Sequence, residues 1–455
     1  MKPHAMVLML LLAAAPLRAE PVAETSDESR SATFPVTSMD GGGLPPPSTD
    51  ESRSATFPVN TPVGASVAEL LERARALNPE LAAAALEAEA AQARVRGADA
   101  LADPSLQVTF DEISENAAGW PGRTGTYKYT LQQEIPWWGK RGLRRSLAEA
   151  ESREFRSRQA ETLAEVAMQV KVAYADYHRV HLAMDQSGEL LQVLRALVEF
   201  AQFRYAQGQG GLQEATGADA ERGALSAELV RLEKERHRLR ARLNALVDRP
   251  PDAPLVEHPT LRPLPAPEAL AFDKLLEHGL AANPALAMGQ ARLEAAGVDL
   301  SLAAAEWFPD VELGFGLVDR RAEGARNGYE AMVALNLPLQ WEPRRAREQE
   351  AAARQQAARE RLNAERRQVE AGLREALLSL EEARQIEQVT RESLLPQARI
   401  AMQSALKSYE TGGAEAVAVL DAVQRLKRFQ IELIEAQFEQ QVRLAEIERF
   451  IGGEL

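Results

Sequence analysis

The sequence predicts a mainly α protein with a small β part, in which long coiled-coil-like helical hairpins and four strands arise from one plan built twice. Three observations carry this. The first is an internal duplication: Leu70-Leu71-Glu72 and Asn78-Pro79 recur as Leu275-Leu276-Glu277 and Asn283-Pro284, Pro104 and Phe110 as Pro309 and Phe315, and Tyr205 and Gly208 as Tyr409 and Gly412. Chance does not hold an offset over so many elements. The second is an apolar seam in steps of three and four over residues 163–205, interrupted for one turn at Ser187, the pattern of helices packed in a coiled-coil manner. The third is strict alternation: Tyr127, Tyr129, Leu131 and Ile135 fall on one side of a strand, Lys128, Thr130, Gln132 and Glu134 on the other, as in a sheet with one apolar and one polar face.

Taken in order, Lys2 and His4 precede an apolar run over residues 5–16, and Leu17-Arg18-Ala19 offers a cleavage site before Glu20. The run is too short to span a bilayer, so residues 1–19 read as a secretory signal peptide. Residues 20–65 are rich in Ser, Thr, Pro and Gly and carry a tandem duplication, Asp27 to Val36 repeated from Asp50 to Val59. They read as a flexible leader, because such sequence cannot bury enough surface to fold. Residues 66–250 form the first copy, 251–266 a linker and 267–455 the second copy.

Each copy reads helix, strand, strand, very long helix, shorter helix. In the first, a helix is expected over 67–102, strands over 105–112 and 127–135, then the long helix. The second repeats the strands with Val311, Leu313 and Phe315, then Tyr329, Ala331, Val333, Leu335 and Leu337. Each strand is close to the ~9–11 residues that cross a bilayer at a tilt. The second long helix, over about 344–408, contains Pro396 and should kink there. A helix of roughly 65 residues spans about 100 Å, and two helices of roughly 36 residues stacked end to end reach the same length. No compact globule uses helices of that span.

Composition narrows the function. Hydrophobic residues are 45% but aromatics only 5%, which suits narrow helical seams better than thick cores. A net charge of −14 offers no concentrated basic surface for nucleic acid. With no cysteine there is no disulfide, thiolate metal site or lipid-bearing N-terminal cysteine. No later stretch approaches the ~20 apolar residues of a transmembrane helix, so any membrane entry must use the strands. There is no nucleophile elbow, phosphate-binding loop or zinc motif, so no enzyme and no cofactor are expected. His178 and His181 share one helical face, but a lone pair at that spacing reads as seam or surface rather than metal ligand.

Several motifs, in this order inside a duplicated plan, resemble the TolC-like family of outer-membrane efflux factors from about Ser66 to Gly453. They are Gln133-Glu134-Ile135-Pro136-Trp137-Trp138-Gly139-Lys140-Arg141, Phe308-Pro309-Asp310, Leu394-Leu395-Pro396-Gln397-Ala398, Tyr409-Glu410-Thr411-Gly412 and Leu420-Asp421-Ala422. The resemblance implies a homotrimer with a twelve-stranded outer-membrane β-barrel, four strands from each chain, and a periplasmic α-barrel. Two hairpins cannot close a barrel alone, and an open edge in lipid leaves backbone groups unsatisfied. Trp137 and Trp138, at a strand–helix junction, would mark the membrane interface. The helix–helix turns, with Tyr205, Gly208 and Gly211 in one copy and Tyr409, Gly412 and Gly413 in the other, would form the periplasmic tip and its adaptor contact. In the family that tip is a constriction lined by acidic residues. Asp421 matches the motif's second acidic position and Glu214 the corresponding place in the first copy. Ala418 stands at the first acidic position, and Ala414 where certain members carry a gate-locking arginine.

The implied partners are a periplasmic adaptor, an inner-membrane pump of the resistance-nodulation-division type, and outer-membrane lipid. The Pro136–Arg141 segment most resembles members paired with heavy-metal exporters, so metal cations are the expected cargo. Multidrug efflux and type I protein secretion are alternatives. A soluble exported coiled-coil scaffold is the alternative of another class, but it has no reason to carry four alternating strands.

Overall fold

The structure, a computed structural model, describes residues 61–113, 124–320 and 326–455, all within the compact unit Arg53–Leu455. The expected signal peptide, residues 1–19, and nearly all of the expected leader, residues 20–65, lie outside the described residues. Thr61–Ala65, at the leader's end, are packed: Val63 is buried and bridges Leu255, and Gly64 N–H donates to Glu69 Oε2.

The single helix expected over 67–102 is two helices, α1 (Val67–Leu77) and α2 (Pro79–Gly97). Pro79 cannot donate a backbone hydrogen bond and forces Asn78 out of the helical region, to φ −60°, ψ 123°. Asn78 Oδ1 then accepts from Glu80 N and Leu81 N and so starts the next helix. The second copy breaks in the same place: α5 (Phe272–Ala282) ends at Asn283, whose side chain accepts from Leu286 N to open α6 (Pro284–Ala305).

Four antiparallel strands form one sheet in the order β1 (Ser105–Ile113), β2 (Thr124–Ile135), β3 (Val311–Arg320), β4 (Gly328–Leu335). The copies meet at β2 and β3, in the register Leu131↔Phe315 and Tyr129↔Leu317. Among the described residues, β1 and β4 each keep one unpaired edge.

Helix α3 (Lys140–Ala206) has 67 residues and so extends about 100 Å. Its expected seam is buried from Val166 through Val170, Ala173, Tyr177 and Val180 to Leu191, Leu194, Val198 and Ala201, while its end members Leu163 and Tyr205 are exposed. A second buried stripe, with Ala175, Ala183, Leu190 and Leu197, was not expected. It exists because α3 packs against α9 (Ala416–Ile451) as well as against its hairpin partner α4 (Leu212–Leu246), beside its contacts with α2 and α6.

The second long helix is α7 (Trp341–Val389), a π-turn at Thr390–Leu394, and α8 (Leu395–Glu410). The π-turn takes the place of a plain kink and immediately precedes Pro396, whose missing N–H a widened turn accommodates. It also holds one extra residue. Before it, the buried positions of the two long helices match at a spacing of 203 (Val166/Val369, Val170/Leu373, Ala173/Ala376, Tyr177/Leu380, Val180/Ala383); after it they match at 204 (Leu191/Leu395, Leu194/Ala398). The spacing of 204 then holds along α4 and α9, with Ala218/Ala422, Leu243/Ile447 and Val247/Ile451 buried in both.

The linker is anchored rather than loose. Arg262 Nη1 meets Glu448 at 2.7 Å, and Lys171 Nζ reaches the same carboxylate at 2.9 Å. Two cations on one buried anion tie the linker and α3 to the end of α9, and leave that charge compensated.

Candidate functional site

Two regions carry chemistry beyond packing: the sheet at one end of the long helices and the turns at the other.

On the sheet, Leu106, Leu131 and Phe315 line up across three strands, with Val108, Tyr129, Leu317 and Tyr329 beside them, and all seven are exposed. A contiguous apolar face of this kind is suited to lipid rather than water. The other face is polar and joined across strands: Gln132 donates to Gln107 at 2.7 Å, Thr130 Oγ1 to Glu330 Oε1 at 2.6 Å, and Lys128 pairs with Asp111. Gly316 lets Glu330 lie flat there, since a Cβ on Gly316 would sit 2.8 Å from both the Glu330 Cγ and the Thr130 hydroxyl.

Where the sheet meets the long helices, two of the sequence motifs come together. Trp137 stacks on Phe308 at 5.5 Å and meets Trp138 edge-on at 5.1 Å. Asp310 Oδ1 accepts from Trp137 N at 2.8 Å and from Lys140 Nζ at 2.8 Å, and the same ammonium donates to Phe308 O. Burial alone would raise the Asp310 carboxyl, but Lys140 and the Trp137 N–H outweigh it and hold it below the usual carboxylate range. Gly139, at φ +91°, lets the chain reverse into α3 between these contacts. Trp137 thus fills a joint between the copies, whereas Trp138 is 82% exposed. The Lys140–Asp310 pair was not singled out from sequence, because its members lie far apart in the chain.

At the far end, both turns are closed by the same device. Gly208 and Gly412 are left-handed (φ +72° and +78°), and the residues after them, Gln209 and Gly413, donate back to Arg204 O and Ser408 O at 2.9 and 2.8 Å. Gly211 is the extended cap of α4. The two tyrosines preceding these glycines differ sharply. Tyr409 is fully buried and so presents no ring to a partner, whereas Tyr205 is 49% exposed. The Tyr409 hydroxyl donates to Glu214 Oε2 at 3.1 Å, its ring meets Phe200 edge-on at 5.4 Å, and the Arg204 guanidinium lies 4.8 Å over it. Burial raises the Tyr409 hydroxyl above its ordinary pKa and Glu214 adds to that, against the opposing charge of Arg204. At the positions equivalent to Phe200, Arg204 and Glu214 the second copy has Ser404, Ser408 and Ala418, so Tyr205 has no matching nest. Phe200 and Arg204 carried no signal in the sequence beyond apolar seam and helix surface.

Asp421 is exposed on the second turn of α9; that helix is entered through Glu415, so Asp421 does not cap it. Its counterpart in the first copy is Gly217, just as Glu214 faces Ala418, so each copy supplies one acid at this level. His178 and His181 lie on α3, and burial lowers the pKa of both. Among the described residues no cluster of three or more metal-ligating side chains occurs, and no helix is long and apolar enough to cross a membrane.

No curated protein matches the chain by sequence. Solved structures do match by fold. The outer membrane protein VceC from Vibrio cholerae is 22% identical, with a TM-score of 0.73 over 85% of this chain and 96% of that one. CusC, described for conformational changes accompanying folding and transmembrane channel formation, is 18% identical, with a TM-score of 0.73 over 85% of this chain and 92% of its own. The open state of the Neisseria gonorrhoeae outer membrane channel MtrE is 18% identical, with a TM-score of 0.69 over 85% and 89%. At these identities the likeness establishes the fold. The family model for outer membrane efflux proteins matches residues 70–248 and 275–453, one segment in each copy. With both halves of its duplication matched, and most of its length covered, this chain belongs to the outer membrane efflux protein family and is an outer-membrane efflux channel.

Proposed function

We propose that three copies of this channel close into the exit duct of a three-part pump that carries heavy-metal cations out of the cell. The observation that carries the reading is the sheet: four strands with an exposed apolar face and two free edges, joined directly to helices about 100 Å long. Four strands cannot close alone, and free edges in hydrocarbon leave backbone donors and acceptors unpaired. Three copies give twelve strands, an even count as single-chain barrels have. Trp138 would lie at the membrane interface, and residues 1–19 would direct export.

At the other end the turns would form a constriction that a periplasmic adaptor and an inner-membrane resistance-nodulation-division pump open, with Tyr205 exposed there for contact. Three copies each of Asp421 and Glu214 near a narrow pore would favour cations. The metal cargo rests on the resemblance of the Pro136–Arg141 segment to members serving metal exporters, and the net charge of −14 suits it. The test is a deletion strain challenged with copper, silver, zinc, cobalt and cadmium beside a drug panel. Sensitivity to metals supports the cargo; sensitivity to drugs alone reassigns the channel to multidrug efflux.

A further inference from the structure

The linker brings a histidine onto α3. On one side of it, Val256 N–H donates to Val63 O at 2.9 Å; on the other, Thr260 O accepts from the Tyr174 hydroxyl at 3.2 Å. His258 stands between these two ties, exposed, and its ring meets that of His181 on α3 at 5.7 Å. His181 is itself buried, only 6% exposed, with the Tyr177 ring edge-on to it at 4.6 Å.

The buried Nε2 of His181 has no hydrogen-bond partner. A polar atom left unbonded in a packed interior marks a place for water or an ion, and the spacing of the two rings favours the ion. Two imidazoles bound to one cation at ~2.0–2.1 Å have ring centres about 5–6 Å apart. The surroundings fit as well. Burial, with the Arg236 and His258 charges adding to it, holds the His181 pKa below its ordinary value, so the ring is neutral at pH 7 and able to ligate. Asp185, one turn further along α3, and Glu257, next to His258, act on His181 with the opposite sign. Both carboxylates are exposed, and neither makes a hydrogen bond or ion pair among the described residues. The Arg236 guanidinium of α4 is already engaged by Glu233 at 2.7 Å.

We propose that His181 and His258 together bind one transition-metal cation of the zinc, copper(II) or nickel class and so clasp the linker to α3. Two nitrogen ligands completed by water, with Asp185 and Glu257 supplying negative charge nearby, suit these ions; magnesium and calcium, which prefer oxygen, do not fit. Among the described residues no third ligating side chain joins the two rings, so the site is an open, exchangeable one rather than a closed structural centre. It differs from the His178/His181 pair visible in the sequence, because it joins two elements far apart in the chain. The site goes beyond the cargo reading and does not rest on it: a channel for drugs could carry the same clasp.

The test uses untagged full-length protein in detergent, stripped with a chelator and titrated calorimetrically with Zn²⁺, Cu²⁺ or Ni²⁺ alone, in excess Mg²⁺ to occupy weak carboxylate sites. One ion per chain should bind. His258→Ala, a change to an exposed side chain, should weaken that binding roughly tenfold or more while the metal-free protein keeps its thermal midpoint. His237→Ala, which removes a ring held by Glu233, and His278→Ala should leave the affinity unchanged. Bound Cu²⁺ should show coupling to two imidazole nitrogens by electron paramagnetic resonance in the wild type and to one in His258→Ala. Amide exchange over residues 255–260 should slow on adding Zn²⁺ in the wild type and not in His258→Ala. Wild-type protein that takes up no such ion, or binds it equally well without His258, would overturn the site. Binding that leaves the exchange of residues 255–260 unchanged would overturn the clasp.

Discussion

Replacing Tyr409 with Phe removes one oxygen from a residue that is otherwise completely enclosed, so the perturbation is confined to the bond with Glu214. A hydrogen bond to a charged acceptor contributes about 1.5–3 kcal/mol net. Glu214 is only half-buried and can be rehydrated once the hydroxyl is gone, so about 1.5 kcal/mol per chain is appropriate, roughly tenfold in the closed-to-open ratio. Three independent latches in a ring add to about 4–5 kcal/mol if all must release together. The assay is single-channel recording of the purified protein in planar bilayers. Tyr409→Phe should raise open probability or conductance strongly, and Glu214→Gln, whose amide oxygen still accepts, should do so less. The wild type should show the same change with alkali. The Tyr409 pKa is raised, so its contribution is complete below about pH 10, the unperturbed tyrosine value, and is lost as pH rises through the higher folded value. Tyr409→Phe should lack that alkaline step. If Tyr409→Phe keeps the wild-type conductance and closed lifetimes, the tip is not held shut by this contact.

Three further outcomes are expected. Asp421→Ala should raise single-channel conductance or weaken block by divalent cations, and unchanged conductance and block would remove Asp421 from the gate. Asp310→Asn leaves the buried Lys140 ammonium without its counter-charge and should cost about 3 kcal/mol, read as a lower thermal midpoint by circular dichroism. Because the Asp310 pKa is lowered, the wild-type advantage should be full above about pH 4 and fade as pH falls through the folded value; equal midpoints at pH 7 would contradict the clamp. Asn78→Ala and Asn283→Ala each remove a cap and should cost about 1 kcal/mol apiece, with chemical denaturation as the measurement.

Much of this fold is legible in the sequence because it depends on periodicity. The seam of α3, the alternation in β2 and the paired glycine turns are local patterns, and the structure retains them. What escaped depends on contact. Periodicity marked one stripe of α3 but did not reveal that Ala175, Ala183, Leu190 and Leu197 are buried as a second, since the two alanines carry little hydrophobic signal and the two leucines fall outside the steps of the seam. The break at Asn78-Pro79 was visible in the residues, yet the flanking Ala and Leu run read as one helix. The π-turn shows in sequence only as a change of repeat spacing from 203 to 204, which the few matched landmarks did not localise. Tyr205 and Tyr409 look alike as Tyr-x-x-Gly; only the contrast of Glu214 with Ala418, and of Arg204 with Ser408, separates the buried tyrosine from the exposed one.

The central claim is that the sheet of this chain enters the outer membrane only as part of a closed ring. Its most direct test is to express the full-length protein, fractionate the cells, extract the outer membrane with detergent and record the purified material in planar bilayers. The account predicts recovery only with detergent, a trimer that dissociates on heating, and stepwise ion conductance. A soluble periplasmic monomer that leaves the bilayer non-conducting would contradict it.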